Sequence, residues 1–152
     1  MTEEYTLELK DELATLHLAS QFAKVLKSGM VIYLIGNLGA GKTTFVRGLI
    51  HSLGYTGKVK SPTYTLVESY ELEDLTLYHF DLYRFVDEEE WEASGFRDYF
   101  GPHSLCLIEW PEKAHTVLPP ADMTISLTML GDGRLIRITA DSDLGKQCLK
   151  SF

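Results

Sequence analysis

The segment Gly36-Asn37-Leu38-Gly39-Ala40-Gly41-Lys42-Thr43 is a complete Walker A loop, and the apolar run Met30-Val31-Ile32-Tyr33-Leu34-Ile35 leads directly into it. No other feature constrains the fold as much, because this motif demands a strand that ends at the loop and a helix that starts inside it. Residues 43–50 supply the helix, with Phe45, Leu49 and Ile50 available to pack on a sheet. Three glycines let the backbone curl around an anion, so that successive N–H groups and the positive end of the helix converge on phosphates. Lys42 then reaches the outer phosphates of a nucleotide triphosphate, and the Thr43 hydroxyl is placed to ligate magnesium. The competing reading is a glycine-rich turn with a solvated lysine.

A chain of 152 residues suits one domain, 1–152, large enough for a core without disulfides or structural metal. Fourteen Lys and Arg against 22 Asp and Glu give a formal charge of −8, which excludes a broad electrostatic grip on nucleic acid and leaves room for a small basic patch. Cys106 lies in an apolar run and Cys148 in the tail, which is neither a disulfide framework nor a zinc spacing and implies free thiols in a reducing compartment. The start Met1-Thr2-Glu3-Glu4 is acidic where a secretory signal is basic, and no apolar run approaches a membrane span. These features predict a cytoplasmic protein that makes no use of a membrane.

Helical spacing of Leu13, Leu16, Ala19, Phe22, Ala23 and Leu26 predicts an amphipathic helix over 11–27, ahead of the Walker strand. Residues 58–63 read as loop. Segments 65–70 and 75–82 flank a polar turn and predict an antiparallel hairpin. Asp87 before Glu88-Glu89-Glu90 is an N-cap with an acidic first turn, so a short helix should run toward Gly95, with a further turn over 96–100. Leu105-Cys106-Leu107-Ile108 has the uniform apolar pattern of a strand buried on both faces. Met123, Ile125, Leu127 and Met129 alternate with polar residues, Gly131-Asp132-Gly133 turns, and 134–140 returns as a second hairpin. The expected class is α/β: one P-loop NTPase domain with central parallel strands extended by antiparallel hairpins and helices on both faces.

Two strands end in a carboxylate, at Asp81 and at Glu109. The alternating 75–82 segment suits a sheet margin, whereas the apolar 105–108 segment fits beside the central Walker strand. Glu109 therefore reads as the metal-side acid in the Walker B position, and Asp81 as the acid that positions or deprotonates the attacking water. Swapped roles, or carboxylates that simply face solvent, stay open. Ser61-Pro62-Thr63-Tyr64 lies where a loop can sense a terminal phosphate, as a switch loop does, or is an ordinary proline turn. Arg84 is either charge support for the reaction or a surface ion pair. Trp110 either shapes the pocket wall or belongs to the core. Histidines 17, 51, 79, 103 and 115 show no metal-ligand pattern, and His79 stands out only for its neighbour Asp81.

Taken together, the Walker loop, Ser61-Pro62-Thr63-Tyr64-Thr65-Leu66-Val67, His79-Phe80-Asp81-Leu82-Tyr83-Arg84 and Leu107-Ile108-Glu109-Trp110-Pro111 resemble the bacterial TsaE (YjeE) family, in its order and over roughly the whole chain. The ends match less distinctively. The resemblance implies a small ATPase needed to make threonylcarbamoyladenosine in tRNAs that read codons starting with A. It also implies protein partners TsaD and TsaB, contact with tRNA only through that complex, and ATP with Mg2+ as cofactors. Carried over residue by residue, the phosphate loop falls on Asn37, Leu38, Gly39, Ala40, Gly41, Lys42, Thr43 and Thr44. Magnesium falls on Thr43 and Glu109, and the second acid on Asp81. Further nucleotide contacts fall on Thr15 of the first helix and Arg134 of the last hairpin.

Two rival readings remain at this point. A small-molecule kinase would need an acceptor pocket and lid arginines, whereas the arginines at 47, 84, 97, 134 and 137 are scattered. A nucleotide-gated binding module would show little turnover.

Overall fold

The computed structural model describes residues 3–37 and 40–152. Alternation of Tyr5, Leu7 and Leu9 with Glu4, Thr6 and Glu8 builds β1 (Glu3–Leu9), an element outside the sequence expectations. Asp11 then caps α1 (Glu12–Ala23) by accepting from the Ala14 N–H at 2.9 Å. The helix stops short of Lys27, because the N–H groups of Lys24 and Val25 bond three residues back and tighten the last turn. Its buried face is Thr15, Leu18, Ala19, Phe22 and Ala23, while Leu13 is 74% exposed, so the stripe is rotated from the expected one.

The Walker segment folds as its spacing requires, with β2 (Val31–Ile35) feeding α2 (Lys42–Ser52). Gly41 caps that helix at φ 97°, a left-handed conformation that favours glycine. After α2 come β3 (Val67–Glu71), β4 (Thr76–Asp81), α3 (Glu88–Ala93), a 3-10 turn at Phe96–Tyr99 and β5 (Ser104–Glu109). A second 3-10 turn at Pro111–Ala114 precedes β6 (Met123–Leu130), β7 (Gly133–Ala140) and α4 (Asp143–Lys150). The last helix also lay outside the expectations, although Ser142 caps it on the Gly145 N–H.

Among the described residues the seven strands form one sheet in the order β1-β7-β6-β2-β5-β4-β3. β6, β2, β5 and β4 run parallel in the middle, and the antiparallel pairs β6/β7, β7/β1 and β3/β4 extend it on both sides. Period-2 alternation splits the core between the two faces. Ile32, Leu34, Leu105 and Leu107 join Leu18, Phe22, Phe45 and Leu49 under α1 and α2. Val31, Phe80, Cys106 and Ile108 join Trp91 and Phe96 on the other face. The expected α/β class is therefore the observed one, with helices on both faces. Because β2, β4 and β5 are parallel, their carboxyl ends meet at one edge of the sheet.

Candidate functional site

The parallel register sets Asp81 beside Glu109, and Glu109 beside Leu34 just ahead of the Walker loop. The expectation that the apolar strand lies next to the Walker strand is met. The two strand-end carboxylates are thus neighbours, on the face of the sheet that α2 covers. A cavity of about 350 Å³ opens there, lined by Gly41, Lys42, Thr43, Thr44, Ser61, Thr63, His79, Asp81, Glu109, Trp110 and Arg134, among others. Thr15 is buried and donates its hydroxyl to the Asp11 carbonyl; it lines a smaller adjoining cavity of about 160 Å³ with Gly41, Thr44 and Arg134. Arg134 therefore borders both spaces.

Asn37 is exposed, and its carbonyl accepts from the Ala40 N–H at 3.0 Å, while Ala40 is buried. Leu38 and Gly39 lie outside the described residues. Arg84 is exposed away from the cavity, its guanidinium 4.7 Å from the centre of the Tyr64 ring. Ser61 and Thr63 share a 2.7 Å hydrogen bond between hydroxyls. The start of their loop is tethered by Tyr70, whose hydroxyl accepts from the Lys60 N–H at 2.9 Å. Trp110 belongs to the cavity wall, with Lys42 Nζ 4.6 Å from its ring centre.

Charge is concentrated on a few buried groups. Lys42 is 6% exposed, with its Nζ 3.5 Å from Glu109 Oε1, and His79 Nε2 stands 2.6 Å from Glu109 Oε2. Burial works to raise the Glu109 carboxyl, but the hydrogen bond and electrostatic pull of His79, with the charge of Lys42, outweigh this and hold it below the ordinary carboxylate range. Asp81 is pushed upward, first by burial and further by the nearby Glu109 charge, against the Tyr83 N–H that donates to it at 3.0 Å. One acid is thus kept ionised while its neighbour is biased toward the proton. His79 is the member of this cluster that motif reading noted only for its neighbour Asp81 and gave no role. Its signal was period 2, since it precedes Asp81 by two residues and so shares its face.

The donor set suits magnesium. Thr43 and Glu109 bring only hard oxygens to the same cavity, and they would share the ion with phosphate oxygens and water.

The family model described as threonylcarbamoyl adenosine biosynthesis protein TsaE matches residues 9–136 of this chain. The chain belongs to the TsaE family. A Haemophilus influenzae protein named tRNA threonylcarbamoyladenosine biosynthesis protein TsaE is 44% identical, over 99% of this chain and 98% of its own length. A Bacillus subtilis TsaE of the same name is 40% identical over 89% of this chain and 83% of its own. The crystal structure of Bacillus subtilis YdiB superposes with a TM-score of 0.85 at 31% identity, covering 99% of this chain and 94% of that one. TsaE membership thus agrees with the motifs that first suggested it, and these TsaE relatives are matched along most of their length.

Proposed function

We propose that this chain is the ATP-binding and ATP-hydrolysing subunit for threonylcarbamoyladenosine modification of tRNAs that read codons starting with A. It acts as one cytoplasmic domain spanning 1–152, and meets tRNA only through its partners TsaD and TsaB. The observation that carries this reading is the sharing of one cavity by Lys42 and Thr43 of the phosphate loop and the two strand-end acids Asp81 and Glu109. Family membership and the relatives' names supply the pathway. No helix among the described residues is long and apolar enough to cross a membrane, which fits a role without one.

In this reading the N–H groups at the start of α2 and the helix's positive end receive the phosphates. Lys42 extends to the outer phosphates, drawn from its contact with Glu109, and Arg134 and Thr15 border the rest of the nucleotide. Thr43 and Glu109 hold Mg2+, which when bound neutralises developing phosphate charge. Asp81, biased toward the proton, orients the attacking water and accepts its proton. Ser61 and Thr63 face the same space and couple its occupancy to the loop that carries Tyr64. Ordering of that loop docks the domain on its partner, and hydrolysis releases it. Turnover by the chain alone is slow, and the partners raise it.

The test is phosphate release with and without a TsaB–TsaD complex, together with binding to that complex under ATP and under ADP. Stimulated hydrolysis and nucleotide-dependent binding are expected. An unchanged rate with no nucleotide-dependent binding would overturn the proposal.

A further inference from the structure

The geometry points to His79 as a positioning residue that holds the Glu109 carboxylate by one oxygen, so that Lys42, on the other oxygen, is free to move to a nucleotide's phosphates. This rests on the proposed nucleotide-binding reading and deepens it.

Each oxygen of Glu109 has its own partner. Lys42 Nζ lies 3.5 Å from Oε1 and His79 Nε2 lies 2.6 Å from Oε2. The two partners differ in kind. Lys42 carries its charge on a flexible stem, and the Trp110 face 4.6 Å from Nζ offers it a second favourable contact. His79 is a short rigid ring on β4, 4% exposed and unable to follow a departing charge. A buried carboxylate whose only partner was Lys42 would compete with phosphate for that lysine, because losing the cation would leave it uncompensated. A second, immobile donor on the opposite oxygen keeps the carboxylate hydrogen-bonded when the lysine leaves and so lessens that competition.

The other side of the ring shows what its placement serves. His79 Nδ1 is buried without a hydrogen-bond partner among the described residues. Buried histidines recruited for stability ordinarily satisfy both nitrogens. Here one nitrogen is left bare while the other makes a short bond to Glu109. Because a carboxylate oxygen only accepts, Nε2 is the nitrogen that donates across the short contact. The ring therefore takes its orientation from Glu109 and the packing around it, and Glu109 takes its orientation from the ring.

The experiment is a coupling measurement on the isolated chain, reading affinity for a fluorescent ADP analogue so that no hydrolysis is needed. His79→Leu should weaken binding by about tenfold, the size expected for a buried charge-assisted hydrogen bond. His79→Gln, whose amide nitrogen can donate to the same oxygen, should stay within about threefold of the unmodified chain. In a Glu109→Gln background no charge competes for Lys42, so His79→Leu should change affinity by less than about twofold. Should His79→Leu fail to fold, as judged by thermal melting, His79→Asn replaces it, since its shorter amide does not reach Oε2. An equal loss in both backgrounds would mean that the ring serves packing alone and would overturn the inference, as would unaltered affinity in the folded His79→Leu or His79→Asn protein. Failure of the unmodified chain to bind the analogue at all would overturn the nucleotide-binding reading as well, so the two failures are distinguishable.

Discussion

Asp81 and Glu109 are chemically near-identical side chains in adjacent register, yet their surroundings drive them apart. Glu109 has two buried donors, whereas Asp81 has one backbone N–H and a negative neighbour. The sign of the Asp81 effect gives a test. Its folded-state pKa is raised, so its favourable contribution to stability exists below the ordinary aspartate range and is lost as pH rises through the raised value. At neutral pH the ionised group is therefore a cost. Asp81→Asn should melt a few degrees higher than the unmodified chain at pH 7 and show no such gain near pH 3, while partner-stimulated hydrolysis drops by roughly 10²-fold or more. An equal gain at both pH values would contradict the electrostatic origin. A second residue-level expectation concerns Cys106, whose buried thiol is pushed up to about 12. At pH 8 iodoacetamide should leave it unmodified in the folded chain and label it once urea unfolds the protein. The sequence alone identified both acids as strand-end carboxylates but left their roles exchangeable, because the Lys42 and His79 contacts that separate them come from other elements.

At the scale of elements, α2, which follows the Walker loop, is packed along α1. A Cβ at Gly48 would lie 2.8 Å from Leu16 Cδ2 and 3.2 Å from Ala19 Cβ, so the two helices meet where a side chain is missing. Leu16 can swing aside, and alanine is favoured over glycine in a helix by up to about 1 kcal/mol, so Gly48→Ala should be close to neutral. Gly48→Leu must push the helices apart, and a loss of about 2 kcal/mol is expected in urea unfolding. The α1 helix was legible through its apolar spacing and the Asp11 cap, but its buried stripe was not, since Leu13 and Thr15 exchanged places between water and core. β1 and α4 escaped notice for a related reason. β1 carries only three apolar residues and is held by pairing with β7, more than 120 residues away. α4 rests on β1 and β7 and buries Cys148 against the Val25 carbonyl. Such elements depend on partners that no local window contains.

For the molecule as a whole, a ligand that binds only the folded chain must stabilise it by mass action. ATP with Mg2+ at a hundredfold excess over its dissociation constant should add about 2.7 kcal/mol, visible as a rise in melting temperature. Lys42→Ala should erase most of that rise, and an undiminished shift would place the nucleotide elsewhere. The charge of −8 predicts in addition that the isolated chain gives no retarded band with tRNA at physiological salt. The sequence by itself determined the central β2–loop–α2 unit, the buried strand beside it, both hairpins and the carboxylates that end two of the strands. These rest on local chemistry: glycine torsions, a helix start, apolar period and turn residues act within a few residues of one another. Only the tertiary structure decided which carboxylate is tied to Lys42, that His79 holds the other side of it, and that Arg84 stacks on Tyr64 instead of facing the cavity. Those outcomes depend on strand order and register, which bring β2, β4 and β5 together across dozens of residues through packing that no single segment encodes.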